Sequence, residues 1–261
     1  MRHPRHRRAS PWFVLSGSCF MALAVLGGLC LVMAGASNSV VGNPRGRPPE
    51  ELLSPGALAG QGDGEYPFPL VDWDYWKGVN PAVVAWVTVP GTGIDYAVVQ
   101  ALPSGADYYL SHDVYRGWNP YGCPYVDAGC PGMAGSNTVI FGHNMGDGAS
   151  MFSQFARFSD EGYARDHSLV LLQTPDARLA LTVSAVDVVS GHAATKKTRF
   201  GGQGEFASWY AERLSEADVR LGADPRPRQA FTFVTCSYNY FSNERTLVFA
   251  VPRTQTERNT L

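Results

Sequence analysis

The stretch TFVTCSYNYFSNER, residues 232–245, reads as a β-strand ending on a cysteine, a polar and aromatic loop, and a second strand that opens on an arginine. If the strands expected at Ala230–Cys236 and Thr246–Val251 pair as a hairpin, Cys236 and Arg245 flank its mouth. A guanidinium beside a thiol favours the thiolate, which is the nucleophilic form. It also offers forked donors to charge developing on a carbonyl oxygen. Plainer readings stand beside this one: a strand-end cysteine as a small core residue, and Arg245 as the surface partner of Glu244.

A thiol nucleophile also needs a group that gives and takes a proton, most often histidine. His3 and His6 belong to the N-terminal leader, and His112, His167 and His192 sit in polar stretches. His143, in NTVIFGHNMGDGASMF, follows an apolar strand and precedes a Gly-rich turn, the kind of strand end at which a rigid scaffold presents reactive groups. The plainer reading is a hydrogen-bonded loop residue.

The hydrophobic period sets the fold class. Alternating, β-branched sequence on both sides of Pro90-Gly91-Thr92-Gly93 predicts a strand-turn-strand unit. Further strands are expected at Thr138–Phe141, Leu169–Gln173 and Leu179–Val189. Asp72 is a candidate N-cap for a short helix carrying Trp73 and Trp76, with Asn80-Pro81 as its stop. Two more helices are expected, one after Ser150 with Met151, Phe152, Phe155 and Phe158 on one stripe, and one over Glu205–Leu214. Many strands, few helices and no βα alternation predict a mainly β domain, a largely antiparallel sheet or closed barrel with helical decoration.

At 261 residues and 45% apolar composition the chain can bury a sizeable core. It holds 21 Lys and Arg against 23 Asp and Glu, and four of its arginines (Arg2, Arg5, Arg7, Arg8) crowd the first 11 residues, which contain no acid. The body is therefore acidic, which argues against a nucleic-acid partner. No charge appears from Trp12 to Ala36, and a helix of that length spans roughly 37 Å, enough for a bilayer core. The expected organisation is a cytoplasmic basic leader (1–11), a membrane signal anchor (12–36), a Gly/Pro/Ser-rich spacer (37–65) and an extracellular domain (66–261). Ala34-Gly35-Ala36 leaves open a cleaved signal peptide. Outside the cell Cys123 and Cys130 are candidates for a disulfide, with two unpaired thiols as the alternative. Cys236 is the odd cysteine. No phosphate-binding glycine loop occurs.

These residues lie in a context that resembles the sortase family, most closely its class B branch. TFVTC is similar to the family's T-L-x-T-C, with Phe233 in place of Leu. FGHNMGDGASMF resembles the class B stretch Y-G-H-N-M-x-D-G-S-M-F, with Phe141 for Tyr and an extra Ala149. VNPAVVAWVTVPGTGIDYAVVQ and YYLSHD resemble two further class B elements, and the similarity runs from about Leu70 to Arg253. The resemblance implies a closed eight-stranded β-barrel with N-terminal helices and a helix before the cysteine-bearing strand. It implies cysteine transpeptidation, with Cys236 as nucleophile, His143 as acid and base, and Arg245 binding the peptide and its oxyanion. The implied partners are the sorting-signal peptide of a surface protein and an amine acceptor, on a peptidoglycan precursor or a pilin lysine, at the cell membrane. No cofactor or metal is required by this chemistry. By position, Leu110, Phe141, Val234, Thr235 and Ser237 are groove candidates. Val234 and Ala106 stand where class B often has Ser and Asn, so a different sorting signal is expected. GHAATKKTRFGGQG stays unassigned, and the insert GWNPYGCPYVDAGCPGMAGS is read as a lid or decoration. The competing readings are a catalytically inactive sortase-fold binding module and another cell-wall cysteine enzyme, the second lacking its usual signatures.

Overall fold

The computed structural model describes residues 66–191, 196–237 and 243–253. The leader, the apolar span and the spacer therefore lie outside the described residues. Among the described residues no helix is long and apolar enough to cross a membrane.

A short helix α1 (Trp73–Val79) opens the domain, and Asp72 caps it by accepting the Tyr75 N–H at 2.9 Å. Strands β1 (Val83–Thr88) and β2 (Asp95–Gln100) form the expected antiparallel pair. After β3 (Tyr125–Val126) and β4 (Asn137–Phe141) come a 3₁₀ turn at Phe155–Ser159 and the helix α2 (Glu161–Asp166). β5 (Leu169–Gln173) and β6 (Arg178–Ser190) lead to α3 (Gln203–Glu216), β7 (Val219–Arg220), β8 (Ala230–Ser237) and β9 (Glu244–Pro252). The sheet runs β5-β1-β2-β3-β4-β8-β9-β6, and β5 pairs with β6 to close it, with β7 hanging from β6. This is a closed eight-stranded barrel. Two pairings, β2–β3 and β4–β8, are parallel, so it is mixed rather than purely antiparallel.

Inside the barrel Phe233 of β8 meets Phe152 and Phe155, with the Phe155 and Phe233 rings stacked at 5.0 Å, and Phe231 is buried in the same core. The expected stripe is thus a core plug. It is built differently from the expectation: Met151 has φ 53° and only Phe155–Ser159 winds, as 3₁₀. A continuous helix would have carried these rings past the barrel mouth. On the outer face Trp209 of α3 packs on Phe249 of β9, with ring centroids 6.2 Å apart. α3 is therefore the expected helix before the cysteine-bearing strand, two residues longer at each end. Of the implied N-terminal helices, α1 is the one found among the described residues.

The insert at residues 117–136 is neither lid nor decoration, because it contributes β3, without which β2 and β4 would not be joined. Nor is the candidate disulfide formed. Cys123 and Cys130 are free and buried, in two separate apolar clusters, Cys123 with Trp76 and Trp86 and Cys130 with Val139 and Ile140. The two-residue strand between them sends their side chains to different layers.

Asp187 on β6 is 7% exposed and lies beside Asp218, which accepts the Val188 N–H at 2.8 Å. Burial first, then the Asp218 charge, pushes the Asp187 carboxyl up, while Arg213 opposes the shift and Glu216 adds to it. A carboxyl whose folded-state pKa is raised stabilises the fold below its unfolded value and loses that contribution as pH rises through the folded one. Asp187→Asn should therefore melt above the wild type at pH 7.5, on a scale of roughly 2–4 °C per kcal/mol. The gap should close towards pH 4, which calorimetry at several pH values checks.

Candidate active site

In the β8–β9 ladder Cys236 lies directly opposite Arg245. Opposed residues share a face, with Cβ atoms about 4.5–5.5 Å apart. Arg245 Nη1 donates to the Glu244 backbone oxygen at 2.9 Å, and among the described residues its other donors meet no acceptor. On the other side of β8 the parallel ladder pairs Phe141 with Val234, and the Gly142 N–H extends it to the Val234 oxygen at 3.1 Å. Two residues further along, His143 stands level with Cys236. Imidazole, thiol and guanidinium thus occupy one row across three neighbouring strands, and all three residues are partly exposed.

The local sequence makes His143 leave the strand at that level. A Cβ on Gly142 would sit 2.5 Å from the Phe152 ring, so only glycine lets β4 run that close to the plug. The His143 carbonyl accepts the Phe152 N–H at 2.8 Å, closing the loop. Within it Asp147 accepts from the Ala149 and Ser150 N–H groups at 2.9 and 2.8 Å. The Ser150 side chain and these amides hold its carboxyl down to about 2.

His143 Nε2 is 2.8 Å from the Leu110 carbonyl oxygen. A carbonyl only accepts, so Nε2 carries the proton and in the neutral ring Nδ1 holds the lone pair. That carbonyl is presented by the 3₁₀ turn Tyr108–Leu110. Gly122, with φ 60°, passes so close beneath it that a Cβ would lie 2.9 Å from the Leu110 oxygen.

Among the groove candidates, Phe141 and Val234 share the outward face with Cys236, and Leu110 joins the site through its carbonyl. Thr235 and Ser237 do not. Strand alternation turns them inward, 2% and 0% exposed, with hydroxyls that find no hydrogen-bond partner among the described residues. Beneath the Cys236–Arg245 pair they form a buried polar layer with Thr246 and Glu244.

The unassigned segment after β6 also reaches the site. Lys196 bridges Asp127 at 2.5 Å and lies 5.9 Å from the Phe141 ring centroid. The Asn137 side chain binds the Lys197 carbonyl at 2.9 Å, and Thr198 and Arg199 donate to the Gly129 carbonyl. The segment thereby walls the groove beside β3 and β4. Its residues carry no periodic signal and no motif, so nothing in the sequence pointed to it.

The sortase domain family model matches residues 87–253 of this chain. The chain belongs to the sortase family. Sortase B of Clostridium perfringens superposes with a TM-score of 0.64 at 27% identity, covering 69% of this chain and 99% of that one. Sortase B of Listeria monocytogenes is 33% identical over 90 residues, 34% of this chain. That match spans about a third of the Listeria protein, 35% of its length. The sortase B–substrate complex of Staphylococcus aureus shares the fold, with a TM-score of 0.60 at 19% identity over 68% of this chain and 82% of that one. The fold and these relatives place the chain in the class B branch.

Two outcomes check the site's construction. Gly142→Ala should cost roughly 1–3 kcal/mol, the usual penalty for overpacking, measured by urea denaturation. Peptide mapping after alkylation of native protein should find Cys236 modified, with Cys123 and Cys130 modified only after unfolding, since buried thiols are inert.

Proposed function

We propose that the chain is a membrane-anchored class B sortase, cutting a C-terminal sorting signal and passing the acyl group to an amine. The observation that carries this reading is the single row of His143, Cys236 and Arg245. The Cys236 thiolate attacks the carbonyl carbon of a threonine in the sorting peptide. The carbonyl oxygen becomes an oxyanion, and Arg245 supplies donors aimed at it. As the tetrahedral adduct collapses, the C–N bond breaks and imidazolium His143 gives the departing amine its proton, leaving a thioester on Cys236. In the second half an incoming amine attacks the thioester, His143 takes the amine proton, and the thiolate departs.

The hydrogen bond from Nε2 to the Leu110 carbonyl supports Nδ1 as the nitrogen that moves the proton in both halves. The surface protein's sorting peptide and an amine of a peptidoglycan precursor or a pilin are the partners this chemistry needs. Residues 12–36 would hold the domain outside the membrane.

Incubation with a library of sorting peptides should give a covalent acyl adduct on Cys236 by mass spectrometry. Cys236→Ala should abolish cleavage. His143→Ala and Arg245→Ala should each lower kcat/KM by about 10³-fold or more, roughly 4 kcal/mol of transition-state stabilisation. Cleavage that persists in Cys236→Ala, or a native Cys236 inert to both peptides and alkylating reagents, would favour a binding module that kept only the fold.

A further inference from the structure

Beside Cys236 the outward face of the sheet is mostly apolar. Phe141, Val234 and Leu247 follow one another in a row across β4, β8 and β9, and Val189 of β6 stands next to Arg245. One phenol interrupts this wall. Tyr125 of β3 is directly opposite Phe141, and the two rings stack with centroids 5.4 Å apart and planes at 26°. The Tyr125 ring is held in place, 7% exposed, yet its hydroxyl makes no hydrogen bond among the described residues. The hydroxyl is not one of the enclosed, partnerless polar atoms, so it is open to solvent or to a ligand. Lys196, the other polar group over Phe141, is already engaged by Asp127.

Two further observations bear on this hydroxyl. Burial first, then the charges of Asp107, Asp127 and Cys236, pushes the Tyr125 phenol up. It therefore stays a hydrogen-bond donor at any physiological pH, and it lies within the field of the nucleophile. In addition, the class B motif resembled by residues 141–152 begins with tyrosine, whereas this chain has Phe141. The phenol missing from β4 stands one strand away, on the ring stacked against it.

We propose that the Tyr125 hydroxyl is a substrate-binding donor of this site, hydrogen-bonding a backbone carbonyl of the sorting peptide as it crosses Phe141 and Val234 towards Cys236. The proposal rests on the reading that a peptide acylates Cys236. It assigns to β3 a recognition role in addition to closing the barrel. The peptide position it contacts is not the scissile threonine itself, because Tyr125 is in the row of Val234, two residues back along β8 from the nucleophile.

The test uses a peptide found by its adduct on Cys236, with steady-state kinetics on the wild type, Tyr125→Phe, Phe141→Tyr and the double variant Tyr125→Phe/Phe141→Tyr. Affinity for the same peptide is measured in the Cys236→Ala background. Tyr125→Phe should raise KM and Kd by about 3–10-fold, the worth of one ordinary hydrogen bond, with kcat within twofold and the melting temperature unchanged. The double variant should recover most of the loss, because the hydroxyl returns on the neighbouring ring. Values of KM and Kd within twofold of the wild type in Tyr125→Phe would overturn the proposal. So would a loss that tracks a lower melting temperature and is not recovered in the double variant, which would mark a packing role. If no peptide acylates Cys236, the sortase reading falls and this proposal falls with it. Acylation with a silent Tyr125→Phe removes this proposal alone.

Discussion

The shared register of β4, β8 and β9 is the constraint on which the site depends. Parallel pairing of Phe141 with Val234 and antiparallel pairing of Cys236 with Arg245 fix three strands relative to one another. A slip of one residue in either ladder would turn its reactive side chain to the opposite face. Register is held by what lies inward: Phe233 must meet the Phe152–Phe155 plug, and Gly142 must pass against the Phe152 ring. The same aromatic plug that fills the barrel therefore sets the level at which His143 emerges. Core packing and site geometry are one problem in this protein, and Gly142 is where they meet.

The layer directly beneath the site is unusual for a β-barrel. Thr235, Ser237 and Thr246 are buried, with hydroxyls that find no partner among the described residues, just where the strands carry Cys236 and Arg245. A buried hydroxyl without a partner costs about 1–3 kcal/mol. Apolar side chains of similar size would avoid that cost, so stability alone does not account for the layer. Above it Phe141, Val234, Leu247 and Val189 stand on the outward face around Cys236 and Arg245, with Tyr125 at one end of the row and Asp187 beyond Leu247.

Much of this was legible in the sequence because long strands announce themselves. Alternation located β1, β2, β5, β6, β8 and β9, and the cysteine and arginine at the two lips of one loop implied their juxtaposition before any coordinates. His143 was legible from its place between an apolar strand and a glycine turn. The short elements were not. β3 is only Tyr125–Val126, too brief for any periodicity, and hence its insert read as a lid or decoration, and Cys123 and Cys130 as either a disulfide or two unpaired thiols. Thr235 and Ser237 were read as groove residues because they flank the nucleophile in sequence, but strand alternation puts immediate neighbours on the other face. The Lys196–Asp127 bridge joins residues about seventy positions apart through a stretch with no pattern, which only the folded chain brings together.

The central claim is that thiol, imidazole and guanidinium act on one carbonyl. The most direct measurement is a crystal structure of the protein with a sorting-peptide mimic bonded to Cys236. The account predicts the carbonyl oxygen of the mimic about 3 Å from the Arg245 guanidinium, with His143 Nδ1 facing the leaving-group side and Nε2 still on the Leu110 carbonyl. A mimic whose carbonyl points away from an Arg245 that stays on the Glu244 backbone, with His143 out of reach, would contradict it.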